Sequence, residues 1–139
     1  PALSSAASDV YKRQVLLDMG DKFAKTGGFA RLDEALKANA IHARMIAKQY
    51  DCAMFYMSQL SADAEGKIVL NQSMMEGSRT GKAAEADLMI LIAKNPPVQR
   101  QDDDEEDIER HLNVVKNKLT GWHGSVHCQL EYQTARYTA

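Results

Sequence analysis

Two short apolar runs flank an amphipathic stretch early in the sequence, and this order leaves few folds open. Val15-Leu16-Leu17 runs into Asp18, Met19 and Gly20, which predicts a buried strand ending in an acid. Over residues 31–49, apolar side chains recur at Leu32, Ala35, Leu36, Ala43, Ile46 and Ala47. Asp33, Glu34, Lys37, Arg44 and Lys48 fill the other side, the pattern of an amphipathic helix. Residues 52–57 are continuously apolar before Ser58 and Gln59, which predicts a second, fully buried strand. Strand, helix and strand make one βαβ unit with a right-handed crossover. The expected fold class is therefore α/β with a mostly parallel sheet.

Downstream, residues 61–81 are polar and contain glycine, with Met74 and Met75 inside them as packing residues. A connection this long in a compact domain is either functional or disordered. Residues 88–93 predict another buried strand, and residues 95–110 carry Pro96-Pro97 and the acidic run 102–107. That run lacks the alternate-position ligands and turn glycine of a calcium loop, so it reads as a solvated excursion. Residues 112–118 and 125–132 flank Thr120-Gly121-Trp122-His123-Gly124 and predict a β-hairpin. Val126, Cys128, Leu130 and Tyr132 would share one face, and Ser125, His127, Gln129 and Glu131 the polar one. His127 and Cys128 then point to opposite faces and cannot both ligate one metal ion.

Composition narrows the function classes. Of 139 residues, 45% are hydrophobic, too many for a disordered chain, and no apolar run reaches membrane-spanning length. A net charge of −2 argues against wholesale polyanion binding but leaves room for a local basic patch. Cys52 and Cys128 read as buried thiols of a reducing, cytoplasmic compartment. Residues 1–14 are small and polar without core periodicity; they are either a translated sequencing-adapter read-through or an ordinary disordered tail. Both readings place the globular part at 15–139.

In open α/β sheets, ligands bind beyond the carboxyl ends of the strands, where Asp18 and Gln59 fall. An acid there can hold Mg²⁺, directly or through water, and an amide can hydrogen-bond a phosphate or a lytic water. The alternative for Asp18 is a strand-terminating acid that caps a loop. Lys67, Arg79 and Lys82, with glycine backbone N–H groups such as that of Gly81, suit sequence-independent phosphate contacts, or else form a solvated loop. The segment 77–82 imitates a phosphate-binding P-loop, but it is one residue short and Ala83 replaces the Mg²⁺-ligating hydroxyl.

The ordered segments VLLDMGD, YMSQLS, GSRTGKAAEADLMILIA and VVKNKLTGWHGSVHCQLEYQTARYT resemble the RecA-like ATPase domain of DnaB-type replicative helicases, especially phage members. The resemblance covers residues 15–138. It implies that Asp18 is the Walker B acid and that Gln59 contacts the γ-phosphate of ATP. It also implies that the segment 77–87 carries DNA contacts. Lys116 matches the lysine of the family's Lys-x-Arg before Thr-Gly, while Lys118 stands where the family's arginine finger is expected. Lysine keeps the charge but lacks the planar fork of arginine. The implied protein is a hexameric ring with ATP and Mg²⁺ between subunits, one giving Asp18 and Gln59 and the next Lys116 and Lys118. It would translocate on single-stranded DNA. The family's Walker A and catalytic glutamate lie upstream of the Asp18 position. The chain is thus expected to be an N-terminally truncated fragment that does not hydrolyse ATP alone. Two alternatives remain: another RecA-superfamily ATPase of recombination or repair, and a non-catalytic DNA-binding or assembly module.

Overall fold

A computed structural model of the chain describes residues 13–23, 31–76, 81–96 and 108–139. It divides into two compact units, one from Pro1–Gln59 with Met75–Glu85, the other from Leu60–Met74 with Ala86–Ala139. The acidic run 102–107 lies outside the described residues, as do residues 1–12.

In the first unit, β1 (Gln14–Leu17) pairs in parallel with β2 (Ala53–Tyr56), in register from Gln14 opposite Ala53 to Leu17 opposite Tyr56. Between them runs α1 (Leu32–Tyr50), so the βαβ unit forms as expected. The helix starts without a side-chain cap, but Asp33 and Glu34 in its first turn complement the helix dipole. Its buried stripe is Ala35, Leu36, Ala40 and Ala43, mostly small side chains that permit close approach. α1 packs against β2 and against the short helix α2 (Gly81–Glu85), whose Ala83 is fully buried. Arg44 clamps that contact, donating to the Glu85 carbonyl with its guanidinium 3.8 Å from the Glu85 carboxylate.

The boundary expected after residue 14 moves. Gln14 is the first residue of β1, and the Arg13 carbonyl accepts a 2.8 Å hydrogen bond from the Ala53 N–H. The incoming strand β2 requires an acceptor there, whatever the side chains opposite it are.

In the second unit, β3 (Leu88–Lys94), β4 (Glu109–Asn117), β5 (Gly124–Glu131) and β6 (Arg136–Thr138) form one antiparallel sheet in that order. The expected hairpin is present as β4–β5. The expectation of a mostly parallel sheet is not met: among the described residues only β1–β2 is parallel. The difference centres on β3, whose unbroken apolar run predicts a strand covered on both faces. Leu91 and Ala93 are buried while Leu88, Ile90 and Ile92 are each more than 40% exposed, so only one face is covered within the chain. The short strand β6 lies beyond the expected hairpin.

Residues 61–74 are not a featureless loop. They contain 3-10 turns at Ala62–Ala64 and Gln72–Met74, and Ser61 closes the segment by donating from its N–H and its hydroxyl to the Met74 carbonyl, at 2.8 and 3.0 Å. Leu70 and Met74 are buried, and so is Asn113 on β4, whose amide donates to the Ile68 carbonyl at 2.9 Å. That bond ties the segment to the sheet.

Candidate active site

The parallel register brings the ends of β1 and β2 together. Met57 N–H donates to the Leu17 carbonyl at 3.0 Å, and Gly20 N–H donates to the Met57 carbonyl at 3.0 Å. Asp18 and Gln59 therefore leave the same, carboxyl-terminal edge of this strand pair, and both are exposed. Met19 adopts the left-handed conformation (φ 51°), which turns the chain from β1 into the 3-10 turn Gly20–Lys22. Among the described residues Asp18 has no ion-pair partner, so its carboxylate faces solvent. The Gln59 carbonyl accepts from Glu76 N–H at 3.2 Å, which fixes its backbone while leaving the side chain out.

Beneath these two residues lies a polar network that the sequence pattern does not single out. Lys82 Nζ donates to Asp21 Oδ2 at 2.9 Å and to Ser58 Oγ at 2.8 Å. Ser58 Oγ donates to Asp21 Oδ2 at 2.5 Å, and Tyr56 Oη donates to Asp21 Oδ1 at 3.2 Å. The Lys82 side chain is 3% exposed and that of Asp21 14%. Burial, then the Asp21 charge and the hydrogen bond to it, push the Tyr56 phenol well above its ordinary value. Asp21 and Ser58 fall within the runs VLLDMGD and YMSQLS. Their signal in the sequence is a second acid shortly after Asp18 and a hydroxyl next to Gln59.

Lys82, expected among the DNA-contacting residues, is thus buried and committed to Asp21, and Gly81 is buried at the start of α2. A lysine held this way is not presented to a phosphate backbone. Lys67 is exposed and, with Lys94, borders a groove of about 280 Å³. Arg79 lies outside the described residues.

The remaining two positions belong to the second unit. Lys116 is half-buried on β4, opposite Met89, and Lys118 is exposed in the turn that follows. The Asn117 side chain builds this turn: its Oδ1 accepts from Leu119 and Thr120 N–H, and its Nδ2 donates to Thr120 Oγ1. Gly121 closes it at φ 77°, a conformation that favours glycine. Lys118 lies 3.5 Å from the Asp87 carboxylate, with both side chains about half exposed. An ion pair that open contributes about 0–1 kcal/mol and leaves Lys118 free to exchange partners.

His127 and Cys128 do take opposite faces. Cys128 is buried, while His127 contacts the Glu109 carboxylate and stacks beside His111 at 5.0 Å. Hydrogen bonding from Gln129, and then the neighbouring His127, hold the Glu109 carboxyl below its ordinary value. Trp122, expected as a packing residue or subunit contact, is half exposed. No described helix is long and apolar enough to cross a membrane.

No protein-family model and no curated protein matches the sequence. Solved structures do match the fold. A helicase ATPase domain covers 97% of the chain with a TM-score of 0.75 at 13% identity. A DnaB-like replicative helicase, solved for its interactions with primase, covers 97% with a TM-score of 0.68 at 16% identity.

The fold is that of a DnaB-like helicase ATPase domain.

The chain spans 49% of the first of these structures and 34% of the second. Within this DnaB-like fold, the β1–β2 edge with Asp18 and Gln59 is the part best suited to bind a phosphorylated ligand.

Proposed function

We propose that the chain is the C-terminal part of a RecA-like ATPase domain in a replicative DNA helicase, a hexameric ring that uses ATP and Mg²⁺ to translocate on single-stranded DNA. The observation that carries the reading is the pairing of Asp18 and Gln59 at the carboxyl edge of adjacent parallel strands, in a fold shared with helicase ATPase domains. The exposed Asp18 carboxylate is a hard oxygen donor free of other cations among the described residues, so it suits Mg²⁺, directly or through water. Mg²⁺ bound there would offset phosphate charge. Gln59 is long enough to hydrogen-bond a γ-phosphate or orient a lytic water. Lys116 and Lys118 would act on the ATP of a neighbouring subunit, with Lys118 first leaving Asp87.

Gln59 leads directly into the segment that carries Lys67, and Arg79 follows it in sequence. A change at the phosphate would then reach DNA-contacting side chains within a short stretch of backbone, a two-state loop biased by nucleotide. The test is strand displacement on a forked duplex by the full-length protein. ATP and Mg²⁺ together should release the labelled strand, and chelation of Mg²⁺ should stop it. Release that is equal without ATP would contradict the proposal.

A further inference from the structure

We infer that Lys82 is a positioning residue of the ATP site, acting through Asp21 and Ser58; the inference rests on the function proposed above. The buried network joins three separate stretches of the first unit: the turn after β1, the end of β2, and α2. Asp21 is three residues beyond Asp18, and Ser58 immediately precedes Gln59. Each exposed site residue is therefore attached to a buried partner, and Lys82 bonds both partners at once, at 2.9 and 2.8 Å.

The chemistry favours positioning over catalysis by the network itself. Lys82 is the donor in both of its bonds, and Ser58 directs its own proton toward Asp21, so no member is arranged as a base for another. Asp21 Oδ2 takes two donors and Oδ1 a third from Tyr56. A carboxylate with three donors from three places has little rotational freedom. Well-packed apolar residues can replace a buried ion pair at little cost to stability, so fixing a particular geometry is the better-supported reason to keep one. The geometry fixed here is the spacing between the Asp18 turn and the Gln59 end of β2. The network also links that spacing to α2, which follows the segment containing Arg79.

The test compares full-length protein with the double variant Asp21→Asn/Lys82→Met and with Ser58→Ala. The double variant removes both charges and leaves neither unpaired; Ser58→Ala keeps the ion pair and cuts the link to Gln59. Both should melt close to the unmodified protein and bind ATP with KM within about twofold, while kcat falls about 10- to 100-fold, the scale of a misplaced catalytic group. Full kcat in Ser58→Ala, or in a folded double variant, would overturn the positioning role. If the unmodified protein hydrolyses no ATP, the functional reading fails first, which separates the two failures.

Discussion

Tyr56 closes over Gly20 so tightly that a Cβ added to Gly20 would overlap the ring at its Cζ. Side chain and backbone are thus matched across the β1–β2 edge, one turn from Asp18. Gly20→Ala is expected to lose about 1–3 kcal/mol, the usual scale of overpacking, in a denaturant titration. In a double-mutant cycle with Tyr56→Ala the two changes should couple, because removing the ring makes room for the methyl. Additive losses would mean that the ring is not what excludes a side chain there.

The Tyr56 phenol gives a second expectation, at high pH. Its pKa is raised in the folded state, so its contribution to stability is complete below the ordinary tyrosine range, near 10, and is lost as pH climbs above that range. Tyr56→Phe has no proton to lose and should show a flatter fall in stability above about pH 10. Parallel alkaline limbs for the two proteins would refute the burial and the Asp21 contact.

How much of this was legible beforehand differs by region. The βαβ unit was, because α1 shows a 3.6-residue apolar period and β1 and β2 end in polar residues. Asp18 and Gln59 were legible for the same reason. The network below them was not. Lys82 reads as a solvent lysine in a glycine-rich stretch, and only tertiary folding reveals that it meets Asp21, 61 residues away. The pairing of β3 was hidden too, since an uninterrupted apolar run does not say which of its faces is covered. Resemblance to DnaB-type helicases carried the reading further than periodicity did.

Asp51 ends α1 in the left-handed conformation (φ 48°), where its carboxylate also opposes the negative end of the helix dipole. Its nearest cation is Arg13 at 3.7 Å, with the Asp51 side chain almost wholly exposed, so little is lost by removing it. Asp51→Gly should raise stability by about 1 kcal/mol. An unchanged or lower melting temperature would count against that backbone geometry.

Asn113 makes the bond that holds the segment 61–74 to its sheet. Asn113→Ala deprives the Ile68 carbonyl of its donor and should lose about 1–3 kcal/mol. Limited proteolysis should then cut near Lys67 sooner than in the unmodified protein. Equal cleavage rates would show that Leu70 and Met74 hold the segment without Asn113.

The most direct test of the account is ATP turnover by the full-length protein, with and without single-stranded DNA, in the unmodified form and in Asp18→Asn and Gln59→Ala. The account predicts that DNA stimulates hydrolysis and that each substitution lowers kcat by about 100-fold or more, as expected when a group facing the transferred phosphate is lost. Turnover unchanged in both variants would contradict it.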